Sequence, residues 1–134
     1  MSLVVDLKVE ISANRVIAHL KFSNPSEGAP FYIEKSKAIA TPVLRSKLFR
    51  IECQGEEIAY IGAMAKRTAP GPEDYLLLSP ETELKRTVDI TDIYSFLPGP
   101  HEYTIIYRAF HSDPNDSTKL TELKSNQVTF VFSR

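Results

Sequence analysis

The sequence predicts an all-β domain, an antiparallel sandwich, on three observations. Apolar and polar residues alternate with a period of two through most of the chain. Turn residues recur at short intervals between these runs. No stretch carries the 3.6-residue apolar periodicity of an amphipathic helix. About seven to nine short strands are expected, in a two-layer Greek-key arrangement of the immunoglobulin-like kind. Leu97, Pro98 and Gly99 followed by Tyr103 have the cadence of a corner leading into a central strand, where a tyrosine hydroxyl bonds back to the preceding crossover. With no tryptophan and a single cysteine, an antibody-type disulfide core is excluded, and apolar packing must fill that space.

Residues 3–12 open the chain as a strand: Leu3, Val5, Leu7, Val9 and Ile11 fall on one face, and Asp6, Lys8, Glu10 and Ser12 on the other. Ala13-Asn14 is a tight turn, and residues 15–23 repeat the pattern with Val16, Ala18, Leu20 and Phe22 inward and His19 outward. Residues 24–30 (NPSEGAP) are turn chemistry. A short strand at 31–34 precedes a crossing loop over 35–47, where periodicity fails. Residues 48–53 are a strand, turned back by Gln54-Gly55-Glu56 into another at 57–61. Residues 62–73 (GAMAKRTAPGPE) form a loop, because Pro70-Gly71-Pro72 excludes a regular element. Strands follow at 74–78 and 83–90, joined by the turn Ser79-Pro80-Glu81-Thr82. The central strand puts Tyr103, Ile105, Tyr107 and Ala109 on one side and Thr104, Ile106, Arg108 and Phe110 on the other. A polar loop from His111 to near Lys119 is expected next, and a last strand over 126–133 turns Val128, Phe130 and Phe132 inward.

A chain of 134 residues is expected to fold as a single domain over residues 1–134, large enough to bury a core without covalent staples. The formal net charge of −1 and pI near 6.3 give no electrostatic reason to expect nucleic acid, whose binders show a basic face. No apolar run is long enough for a spanning helix, so no membrane partner is expected. The first residues alternate charged and apolar side chains where a signal peptide would have an apolar segment. The compartment stays open: periplasmic or secreted if a leader was removed, otherwise cytoplasmic.

The chemical inventory points away from catalysis. His19, His101 and His111 sit in different segments without metal-ligand spacing and are expected at the solvated rim. Cys53 is alone and reads as a small buried apolar side chain. The Asp113-Pro114-Asn115-Asp116 loop supplies too few oxygens for calcium. Nucleophile elbows, phosphate loops and zinc-protease helices are all missing from the sequence. The expectation is a non-enzyme with no metal and no cofactor. The candidate partner-binding residues are Lys66, Arg67, Glu73 and Asp74, in a long loop at a sandwich end where such folds place recognition. The alternative is that these charges pair with one another and only fix the loop.

The series Tyr60-Ile61-Gly62, Lys66-Arg67, Pro70, Asp74-Tyr75, Leu78, Val88-Asp89-Ile90, Tyr94, Gly99, Tyr103 and Tyr107 resembles the non-catalytic domain that precedes the peptidase domain in bacterial deuterolysin-like (peptidyl-Lys) metalloendopeptidases. The resemblance runs from the first strand to the last. Two features depart from it: the zinc-peptidase domain is missing, and Glu81 follows Pro80 where the family tends to place glycine. The resemblance implies a protein-facing role, as a folding aid or latency element of a peptidase, and so a protein partner of the metalloendopeptidase class. A free-standing copy would act as an inhibitor or chaperone, as a monomer or weak dimer. The competing expectation is an assembly domain that self-associates through a sheet edge.

Overall fold

The computed structural model describes residues 3–25, 30–38, 47–64 and 71–134. Among them are ten strands: β1 (Val4–Ser12), β2 (Arg15–Ser23), β3 (Phe31–Glu34), β4 (Phe49–Cys53), β5 (Glu56–Glu57), β6 (Tyr75–Leu78), β7 (Glu83–Asp89), β8 (Pro100–Asp113), β9 (Asp116–Lys124) and β10 (Val128–Ser133). The one helical element among the described residues is a 3-10 turn at Pro72–Asp74. All strand ladders are antiparallel and form three sheets: β1-β2-β7, β10-β8-β4-β5 with β9 also on β8, and the small pair β3-β6.

The β1–β2 hairpin follows from its turn. Ser12 pairs with Arg15, leaving Ala13 and Asn14 as the two loop residues. Both have positive φ, 50° and 60°, the twist that two-residue hairpins need. Alternation then buries Val16, Ala18, Leu20 and Phe22 while the other face stays wet. Facing them across the sandwich are Phe49 and Ile51 of β4, Phe130 and Phe132 of β10, and Tyr103, Ile105 and Tyr107 of β8. Phe22 meets Tyr107 edge-on with ring centroids 5.5 Å apart, which fixes the two layers face to face.

Where a strand lacks a neighbour, side chains stand in for one. The Asn126 amide accepts the Leu7 N–H at 2.8 Å and donates to the Leu7 carbonyl at 3.1 Å. That joins β1 to the chain between β9 and β10. The fully buried Tyr94 hydroxyl accepts from Phe49 N–H and donates to Phe49 C=O. β8 outruns β4: after Arg108 N–H bonds Leu48 C=O, the Phe110 carbonyl accepts from the Lys37 ammonium and the Ser112 N–H donates to the Glu34 carboxylate. These caps satisfy backbone groups that an open edge would leave bare.

The structure corrects several expectations. Residues 111–119 are not a polar loop: β8 continues to Asp113, Pro114-Asn115 turns the chain, and β9 returns along β8 with a register irregularity after Ser112. Hence there are ten strands among the described residues where seven to nine were expected, β9 being the one not foreseen. The strand foreseen at 57–61 ends at Glu57, and Tyr60 makes only a single bridge to Tyr94. Asp74 belongs to the 3-10 turn, with β6 starting at Tyr75, because Pro72 sets a turn where an extended start was expected. Ile11 is exposed near the hairpin tip. Most of the expected crossing loop, residues 39–46, lies outside the described residues. No described helix is long and apolar enough to cross a membrane.

Candidate functional site

The loop that carries the candidate binding residues is fixed to the sandwich at both ends. On the way out, residues 58–61 lie against 93–95: Ser95 N–H bonds Ala59 C=O at 2.9 Å, and Ile61 N–H bonds Ile93 C=O at 2.8 Å. The Tyr60 hydroxyl donates to the Ala63 carbonyl. Just beyond, Ile61 and Met64 are 58% and 72% exposed. On the way back, the Asp74 carboxylate accepts Gly71 N–H at 2.8 Å, and Asp74 C=O accepts Lys35 N–H at 2.9 Å. Asp74 is thereby used for the turn itself, while Glu73 is exposed. Lys66 and Arg67 lie outside the described residues.

The corner residues serve architecture. Tyr103 Oη accepts Leu97 N–H at 2.9 Å, the contact that the corner cadence asks for. Gly99 takes φ of 81° and donates its N–H to Arg134 C=O. The Tyr103 ring stacks on Phe130 at 5.5 Å and meets Phe96 edge-on at 5.1 Å. Burial raises the hydroxyl's pKa, opposed by the Leu97 bond.

One polar cluster escaped the sequence. His111, expected at the solvated rim, is only 1% exposed. It follows Tyr103, Ile105, Tyr107 and Ala109 on the inward face of β8, and the strand continues where a loop was expected. His111 Nδ1 accepts Glu34 N–H at 3.0 Å, and its Nε2 lies 3.1 Å from Tyr107 Oη. The Tyr107 hydroxyl also donates to Lys37 C=O. Buried Glu34 accepts from the Lys37 ammonium at 3.0 Å and from Ser112 N–H at 2.9 Å. Tyr75 of β6 shares a hydrogen bond with Ser112 Oγ. Burial holds the imidazole pKa down at about 4, with Lys37 acting the same way and Glu34 opposing. The signal that would have found this cluster is strand parity carried two residues past Ala109.

Among the described residues no three His, Cys, Asp or Glu side chains converge as metal ligands would. Cys53 is buried on β4. His19 bonds Glu10 and Thr87, and His101 bonds the Pro98 carbonyl. Asp113 and Asp116 accept nearby backbone N–H groups, from Asn115 and Thr118, as turn-making aspartates do. A depression of about 540 Å³ across β1, β2 and β7 is lined by both charge signs, including Asp6, Lys8, His19, Lys21 and Lys85. Its Lys21 and Asp6 already face each other at 3.8 Å. No protein-family model matches the chain, and no curated protein matches its sequence.

Proposed function

We propose that this chain is a non-enzymatic protein-binding domain of immunoglobulin-like topology that meets its partner through the loop of residues 61–74. The observation that carries this is the loop's construction. It is held by backbone bonds at Ile61 and Asp74, yet offers Ile61 and Met64 to solvent on its outgoing limb. A pre-ordered base under exposed apolar side chains lowers the entropic cost of docking, and methionine is a common contact at adaptable protein surfaces. The topology supports the finer fold assignment: β1-β2-β7 opposite β10-β8-β4 corresponds to the A-B-E and G-F-C layers of that fold. The partner is a metalloendopeptidase, restrained or helped to fold, in keeping with the family resemblance of the loop and of the tyrosine series.

Self-association through a sheet edge is the weaker reading, because the candidate edges are blunted. Arg86 points inward between Leu84 and Val88 on β7, a strand that pairs only with β2 among the described residues. The β9 register is irregular, and Asp116 occupies Thr118 N–H. The stretch of β8 beyond β4 is capped by Glu34 and Lys37. Inward charges, bulges and caps are devices against edge pairing.

The test is a titration of the intact chain into a deuterolysin-like metalloendopeptidase, following heat of binding and peptide cleavage together. A saturable complex at micromolar or lower concentration is expected. Absence of any complex at that concentration with several such peptidases, or a tight symmetric dimer in sedimentation, would overturn the proposal.

A further inference from the structure

We propose that His111 is an acid-operated latch: neutral, it holds the β3–β6 sheet against β8, and a proton on its Nδ1 releases that sheet while the rest of the sandwich stays folded. The hydrogen bonds assign the tautomer. Nδ1 accepts from Glu34 N–H at 3.0 Å, so it carries no hydrogen. The ring proton is then on Nε2 and points at Tyr107 Oη, 3.1 Å away, whose own hydrogen goes to Lys37 C=O. Each polar group in this chain is used once, and only the neutral ring satisfies them all. A second ring proton would sit on Nδ1 and confront the Glu34 N–H, donor against donor, at a position 1% exposed.

The groups facing the ring come from every element around it. β3 contributes the Glu34 carboxylate, which favours protonation, and the turn after β3 contributes the Lys37 ammonium, which opposes it. β8 itself supplies Tyr107, kept neutral by burial. β6 reaches the cluster through the Tyr75 hydroxyl on Ser112, and β9 places Thr121 opposite His111. Desolvation outweighs the carboxylate, holding the folded pKa at about 4 against an ordinary 6.5. The sign follows from linkage. Between those values the opened state binds the proton that the closed state refuses, so closure is complete above 6.5 and weakens as pH falls toward 4.

Release is local because β3 and β6 form a small sheet of their own, which reaches the core through Ile33 and Leu78 and is held at its rim by the buried Asn24 amide on Leu78 C=O. β3 and β6 are four residues each and, among the described residues, pair only with one another. A two-stranded pair has little stability of its own. Its polar ties to β8 are the His111 bond, the Glu34 contacts to Ser112 and the Tyr75–Ser112 bond, with Lys37 of the following turn bonded to Phe110 C=O and Tyr107 Oη. The first and second of these run through Glu34 itself, so loss of its backbone bond also loosens its carboxylate.

Native-state hydrogen exchange by NMR on the intact chain, from pH 7.5 to 4.5 and corrected for intrinsic rates, tests the latch. Opening constants at Glu34 and the other β3 and β6 amides should rise roughly tenfold per pH unit below about 6.5, while those of β1, β2 and β10 hold. His111→Asn keeps an acceptor for Glu34 N–H without titrating and should remove the pH dependence. Should that variant not fold, the imidazole nitrogen shifts of the natural protein decide: an unprotonated Nδ1 titrating near pH 4 is expected. A ring titrating near 6.5, flat opening constants, or a rise shared by all three sheets would overturn the proposal.

Discussion

Replacing Tyr94, Tyr103 and Tyr107 one at a time by phenylalanine removes a single oxygen each time and leaves the ring packing in place, so the loss measures what each hydroxyl satisfied. Tyr103 Oη serves one group, the N–H of Leu97, a residue exposed enough for water to replace the bond. That variant should lose about 1 kcal/mol. Tyr94 Oη serves both the N–H and the C=O of Phe49, which is 1% exposed. Two backbone groups sealed from water cost about 1–3 kcal/mol each, and strained relaxation recovers part, so roughly 3 kcal/mol is expected. Tyr107 likewise bonds two groups, Lys37 C=O and the His111 ring, and should also lose roughly 3 kcal/mol. In a domain of this size the two classes separate as about 4 °C and about 10 °C in melting temperature. Thermal and urea unfolding by far-ultraviolet circular dichroism at pH 7.5 reads both. Equal small losses for all three variants, or a Tyr103→Phe loss matching that of Tyr107→Phe, would refute the accounting by orphaned groups.

Ala13→Gly relieves a non-glycine residue at φ 50° and should stabilise the hairpin by about 1 kcal/mol; an unchanged or lower urea midpoint would contradict the turn assignment. Arg86→Leu removes a buried Nε that has no hydrogen-bond partner among the described residues. It should raise stability by about 1–2 kcal/mol and, by undoing an edge guard, promote association seen in sedimentation; a less stable monomer would count against that role. Lys66→Glu with Arg67→Glu should weaken partner binding at least tenfold and leave the melting temperature unchanged. A drop in melting temperature with unchanged binding would mean that these charges only fix the loop.

The hairpin and the inward set of β8 were legible because alternation is a direct readout of a half-buried strand. Tyr103, Ile105 and Tyr107 are all fully buried, as parity requires. β9 was hidden for a physical reason. In DSTKLTELK Leu123 enters the core while Leu120 is 60% exposed, so a strand with little to bury looks like a loop. His111 was misplaced by the same error, since ending the strand at Phe110 put it in solvent. Glu34 and Lys37 gave no sign of their edge-capping role, because that role depends on β8 outrunning β4, a matter of register between distant segments. The loop's anchors at Ile61 and Asp74 are likewise backbone bonds to residues far away in sequence.

Met64, 72% exposed at the outgoing limb of the loop, reports on whether a partner docks there. Its oxidation by a hydroxyl-radical pulse can be followed by mass spectrometry in the free chain and in the mixture with a deuterolysin-like peptidase. Strong protection of Met64 in the mixture, with the chain left uncut, is the predicted result. Undiminished oxidation under conditions where a complex forms would place the contact elsewhere and contradict the account.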